Sequence, residues 1–310
     1  MSNPSSSSPL GKLSAGDVVT AGLRIYRDHF KPYCWQACQS YLWIAFAFLI
    51  TGGVLGGIIV LASSLDQITL AGIVILVGLG LLIPWGYCLA KAIAVQGVLA
   101  RVAFFEVGET PESLEAARIQ LMPRFWRFLW ASLLAGLLVL LSLGIVGGVF
   151  AVLVAIAGLT SEANITVAIV AGILAFIWIF VGLFIYIWVF SRLALTDVCL
   201  AVEPTLSPLN AIGRSWDLTK GYVLNLQLIF FIAFLITLPL TMVGNLGSIF
   251  TLVLNLDETM ANIIDIPFTV VISVLLIPFW QAIKAVIYFD LRTRKEGLSL
   301  SLELPPMDDF

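Results

Sequence analysis

Residues 81–96 read LLIPWGYCLAKAIAVQ, and residues 275–290 read LLIPFWQAIKAVIYFD. Each string has Leu-Leu-Ile-Pro, then an aromatic residue, then a lone lysine: Lys91, seven residues after Pro84, and Lys284, six after Pro278. The two prolines stand 194 residues apart. Both strings lie in long apolar surroundings. Hydrophobic residues make up 60% of the 310-residue chain and charged residues 11%, against roughly 25% charged in soluble domains. Mean hydropathy is +1.06. A soluble fold of this length has too little interior to hide that much apolar surface.

Six windows carry no charge at all: 41–65, 67–90, 128–161, 163–191, 221–256 and 266–283. A helix needs about 20 apolar residues to cross a hydrocarbon core of roughly 30 Å. Each window is long enough for one span. Splitting 128–161 or 221–256 into two spans would leave too little for a reversing loop. The connections then fix an orientation. All 16 Lys and Arg fall before the first window, after the second, after the fourth and after the sixth. The other three connections hold only acidic charges: Asp66, Glu162, Asp257, Glu258 and Asp265. This bias predicts both termini in the cytoplasm. The Ser/Pro-rich start has no apolar core of a signal peptide, and 1–13 is expected to be a disordered tail. Residues 298–310 are expected to form an acidic tail.

The spacing of the two strings extends to other segments. Ser14 opens SAGDVVTAGLR, Thr110 opens TPESLEAAR and Ser207 opens SPLNAIGR, 96 and 97 residues apart. Ser14 with Asp17 has the form of a capping box, and Thr110-Pro111 and Ser207-Pro208 place a hydroxyl before a proline at the first helical position. Each start predicts a short amphipathic helix; in the second, Leu114, Ala117 and Leu121 share a face. Each then meets a basic–aromatic junction suited to the headgroup layer. The expected fold is all-α: a polytopic membrane protein of six transmembrane helices in three tandem hairpin repeats, 14–109, 110–206 and 207–297, each preceded by a cytoplasmic amphipathic interfacial helix.

Three segments resemble a broad group of bacterial six-helix membrane proteins. They are Tyr288-Phe-Asp-Leu-Arg-Thr-Arg-Lys-Glu-Gly297, the stretch PLNAIGRSWDLTKGY at 208–222, and Leu23-Arg-Ile-Tyr-Arg-Asp-His-Phe-Lys31, which is similar to cyanobacterial members. The group includes the membrane domain attached to some glycerophosphoryl diester phosphodiesterases. The resemblance implies six helices with both ends inside, in a bacterial plasma membrane or thylakoid, and little chemistry. The hydrolase's catalytic barrel has no counterpart here: His29 is the only histidine, and no polar stretch approaches the roughly 250 residues of a barrel.

Other chemistry has few residues to work with. Cys34, Cys38 and His29 could meet a zinc ion, but read more simply as packing residues; no cofactor or metal is expected. Cys88 and Cys199 are isolated. The six windows hold no charge at mid-depth, where a coupled carrier usually keeps one. Lys91 and Lys284 are within snorkelling reach of a span end, as anchors or as contacts for a lipid phosphate. Gly52-Gly53 and Gly56-Gly57 give overlapping small-xxx-small pairs, for packing or for docking of another membrane protein. Candidate lipid or partner contacts are Arg24, Arg27, Lys91, Arg118, Arg124, Arg214, Lys220, Lys284, Asp290, Arg292 and Arg294. The expected function is non-enzymatic: an accessory, scaffolding or assembly partner of a membrane complex or of an anionic lipid surface. The alternative is a transporter or channel for a lipophilic or small neutral solute, whose polar path would use Asn225, Gln227 or Asn245 and whose breaks would fall at Pro84, Pro239 or Pro278.

Overall fold

The computed structural model describes residues 13–62, 66–160, 163–244 and 257–297. Asn245, Glu162 and both expected tails apart from Leu13 fall outside them. Among the described residues every regular element is a helix. In chain order they are α1 (Ala15–Asp28), α2 (Phe30–Ala62), α3 (Gln67–Val107), α4 (Leu114–Leu121), α5 (Phe125–Thr160), α6 (Ile165–Leu193), α7 (Thr196–Val202), α8 (Pro208–Thr219), α9 (Val223–Gly244) and α10 (Glu258–Glu296). Six stretches, carried by α2, α3, α5, α6, α9 and α10, are long and apolar enough to cross a membrane.

Local chemistry sets the ends. Asp66 caps α3 by accepting from the Thr69 amide, and Asn164 caps α6 from the Thr166 and Val167 amides. At α1 the capping box is complete: Asp17 N–H donates to Ser14 Oγ, and Ser14 N–H donates to the Asp17 carboxylate. Ser207 caps α8 ahead of Pro208. The second expected start is displaced. Thr110 does not cap; Ser113 does, accepting from the Ala116 amide, and α4 begins at Leu114. The reason lies upstream. Glu109 adopts φ 56° and Thr110 N–H bonds back to Phe105 O, turning the chain off α3. Residues 110–112 then bring Glu112 to Arg101 before the next hydroxyl takes the cap. Pro84, Pro239 and Pro278 all lie inside continuous helices.

Helix α3 has 41 residues, roughly 60 Å at about 1.5 Å per residue, twice a hydrocarbon core. Its two halves differ. From Gln67 to Ile83 its side chains are mostly exposed, whereas Ala92, Ala94, Val95, Val98, Leu99, Ala100 and Ala103 are buried. The same change occurs along α10, whose Ala282 to Phe289 segment is buried apart from Lys284. These two halves pack together and onto the buried α7 to form one core, with Val18 and Val19 of α1, Ala117 and Leu121 of α4, and Ala211 and Leu218 of α8. Close approach requires small residues: a Cβ on Gly22 of α1 would lie 2.8 Å from Ile283 Cγ1. An exposed apolar helix face costs nothing against lipid tails, but beyond them it must be covered by protein.

Outside that core the spans pair. Trp85 Nε1 on α3 donates to Thr51 Oγ1 on α2 at 2.7 Å. Trp178 Nε1 on α6 donates to Val146 O on α5 at 2.9 Å.

Candidate functional site: an apolar cavity with a charged end

Helices α3, α5, α6, α9 and α10 line a half-open cavity of about 1290 Å³, with Thr196 and Asp197 of α7 at one end. The lining is graded. Val139 of α5, Tyr186 of α6 and Phe234 of α9 face its far part. Ser132, Ser191, Thr196, Asp197, Gln227, Gln96 and Lys284 belong to turns near the covered core. The cavity therefore runs from an apolar zone between spans to a polar zone where the protein core begins.

Its polar end is built by two elements far apart in sequence. Lys284 of α10 donates to Asp197 Oδ2 of α7. Gln281 Nε2, one turn before Lys284, donates to the same oxygen at 3.2 Å. The Val198 amide donates to Asp197 Oδ1 at 3.0 Å. Asp197 and Lys284 are the charged residues of the lining, and they neutralise each other. The Gln227 side chain also lines the cavity, yet its amide nitrogen is buried without an acceptor. Thr196 Oγ1 donates to Leu193 O and Ser191 Oγ to Ile187 O, so both hydroxyls spend their protons on backbone and keep lone pairs free.

The other expected contact residues serve different ends. Lys91, the sequence counterpart of Lys284, lies over the Phe125 ring at 4.2 Å and the Tyr87 ring at 5.6 Å. Arg214 Nε donates to Glu203 at 3.0 Å, Arg214 also meets Glu296 at 2.5 Å, and Tyr288 OH donates to Glu203 at 2.5 Å. Burial opposes the Arg214 charge, but Glu203 and Glu296 outweigh it and hold its pKa above the ordinary value. Arg292 pairs with Glu296. Arg294 pairs with Asp290 and donates to Leu13 O at 2.9 Å, tying α1 to α10. Arg124 donates to Pro204 O at 2.5 Å. These residues fasten the core's rim to itself. Arg24 and Arg27 reach only their neighbour Asp28, and Arg118 and Lys220 are exposed. Those four remain outward-facing cations.

In the sequence the most deeply built charges read only as loop cations. Arg101 is 6% exposed; its Nε donates to Glu112 at 2.7 Å and its Nη1 to Ala201 O at 3.0 Å. Arg192 packs against the touching Trp188 and Trp216 rings, 5.2 and 5.0 Å from their centres, and donates to Trp216 O. Asp197 was not singled out. Its signal was a lone carboxylate in the apolar run 193–202.

Of the two expected path amides among the described residues, Asn225 and Gln227, only Gln227 lines the large cavity. Asn225 faces a separate pocket of about 170 Å³ beside Tyr222 and Arg294. His29 stacks on Tyr33 and stands 3.8 Å from Glu106, while Cys34 faces Tyr26 OH. Among the described residues no group of three His, Cys, Asp or Glu side chains could hold a metal ion. The large cavity is half open and mostly apolar, with hydrogen-bonding groups at one end. No family model, no curated protein and no solved structure matches the chain.

Proposed function

We propose that the protein binds a lipid-like amphiphile within its membrane bundle and carries it, the tail among α5, α6 and α9 and the head at Lys284–Asp197. One observation carries this reading: the 1290 Å³ cavity with its charged and amide-bearing end. Small-molecule sites usually measure about 300–1,000 Å³, so this chamber accommodates something larger and mostly apolar. In the same reading the covered core and its rim face the cytoplasm. Helices α1, α4 and α8 lie at the interface, each opening one of three hairpin units, and Arg24, Arg27, Arg118 and Lys220 meet anionic headgroups.

The test is the lipid content of the full chain purified in mild detergent. Native mass spectrometry is expected to show a retained amphiphile. Gly136 lines the cavity, and a Cβ there meets nothing within 4 Å. Gly136→Phe should expel the ligand, whereas Gly147→Phe, on the same helix but outside the lining, should not. Equal retention by both variants rejects the cavity as the binding place.

An accessory role is favoured by a different observation. A Cβ on Gly52, Gly53, Gly56 or Gly57 would meet nothing within 4 Å, so these glycines pack against no part of the described chain. They leave a smooth strip on α2 for another membrane helix. Cross-linking from Gly53→Cys in native membranes tests that role; the absence of any specific adduct counts against it.

A further inference from the structure

Resting on the cavity reading above, we infer that the bound amphiphile has an uncharged head bearing hydroxyl or ester oxygens, as a diacylglycerol does, rather than an ionised head.

The inference starts from charge balance. Asp197 and Lys284 are the charged residues facing the cavity, and they are joined to each other. The carboxylate takes two further hydrogen bonds, from Gln281 and the Val198 amide. The Lys284 ammonium keeps further donors, but an anionic head that took one would stand beside the Asp197 carboxylate, setting two negative charges against one cation near apolar walls such as Phe230 and Trp280. An uncompensated charge away from water is the costly outcome. A zwitterionic head would have to desolvate two more charges at a pair that is already balanced. No second cation among the described lining residues relieves either case: Arg192 is held by Trp216 O and two indole rings, and Lys91 lies outside the lining.

What the polar end lacks is a neutral partner. The Gln227 amide nitrogen is buried with no acceptor. A terminal amide torsion is broad and roughly two-fold, so a modest rotation presents either its N–H₂ or its carbonyl to the chamber. Thr196 and Ser191 offer lone pairs but no spare proton. A hydroxyl both donates and accepts, and an ester carbonyl accepts. A glycerol head with one free hydroxyl and two ester groups can donate to Thr196 or Ser191 and accept from Gln227 without disturbing the ion pair. Its two chains suit a chamber beyond the usual small-ligand size.

The experiment offers the purified full chain four probes: dioleoylglycerol, dioleoylphosphatidate, dioleoylphosphatidylcholine and octadecane. Binding is read by native mass spectrometry under competition. Dioleoylglycerol should be retained at least about tenfold over each of the others, the effect of one or two well-made hydrogen bonds. Gln227→Leu should lower dioleoylglycerol binding about tenfold and leave octadecane unchanged. Phosphatidate or phosphatidylcholine bound as well as or better than dioleoylglycerol overturns the inference about the head while leaving the cavity reading intact. Octadecane matching dioleoylglycerol also overturns it. If Gly136→Phe displaces none of the probes, the cavity reading itself fails.

Discussion

Arg101 joins three parts of the chain through one guanidinium: its own helix α3, Glu112 ahead of α4, and the carbonyls that end α7. The pair is largely buried, with side chains 7% and 14% exposed. Removing one member strands the other. Arg101→Leu should therefore cost about 3–5 kcal/mol, read as a lower midpoint of thermal unfolding in detergent. Arg101→Leu with Glu112→Leu should recover much of that loss, because no lone charge remains; a double variant as unstable as the single one contradicts the account. Helix caps act on a smaller scale. Ser207→Ala should cost about 1 kcal/mol, since the Asn210 amide then loses its acceptor. The Ser14 hydroxyl, then the Ser14 amide, hold the Asp17 carboxyl below its ordinary value. A lowered folded value means the capping box contributes fully above the unfolded value near pH 4 and loses its contribution as pH falls through the folded one. Amide exchange in the first turn of α1 should quicken over that acidic interval, and Asp17→Asn should flatten the change. The Ser14–Asp17 box was legible because its partners are three residues apart. Arg101 and Lys284 were legible only as cations, because Ala201 and Asp197 lie 100 and 87 residues away.

Helix α3 shows what hydropathy misses at the scale of an element. The charge-free window ended at Ala90, but the helix continues to Val107. Apolar sequence facing lipid and apolar sequence facing protein read alike, and only packing separates them. The small residues of the second half give the sign of that packing. A Cβ on Gly97 would stand 2.5 Å from Phe128 Cε1, and the Phe128 ring is itself buried in the core. Gly97→Ala should destabilise by about 1–3 kcal/mol through overpacking. Gly147→Ala, on α5, meets nothing within 4 Å. It should be neutral or stabilising by up to about 1 kcal/mol, since alanine restricts the unfolded chain. Paired unfolding curves check both. If Gly97→Ala is as harmless as Gly147→Ala, α3 and α5 are not held as closely as the ring contact requires. The displaced cap at Ser113 is likewise decided by packing. Thr110-Pro111 satisfied every local rule for a helix start, and the tertiary pull of Arg101 on Glu112 decided otherwise.

The whole molecule has two unlike ends. At one, α1, α4, α7 and α8 cover the continuations of α3 and α10, and links such as Arg294 to Leu13 O and Lys295 to Asp217 O stitch the rim. At the other, the helices begin from acidic or neutral caps, Asp66, Asn164 and Asp257. Every described cation belongs to the first end or the turns approaching it. Moving so many positive charges across a bilayer is disfavoured, which is the ground for the cytoplasmic orientation proposed above. The assignment also bears on the cavity, whose polar zone then lies toward the cytoplasmic headgroups and its apolar zone toward the bilayer centre. Cysteine labelling tests it. In a chain with its four native cysteines replaced, Ala163→Cys and Asp257→Cys should react with a membrane-impermeant maleimide added to intact cells. Arg118→Cys, exposed on α4, should react only after the membrane is opened. Reaction of Arg118→Cys and Ala163→Cys from the same side would mean that α5 does not cross. The hairpin of α5 and α6 would then lie along one leaflet, and the chamber it walls would no longer reach from the headgroups into the bilayer.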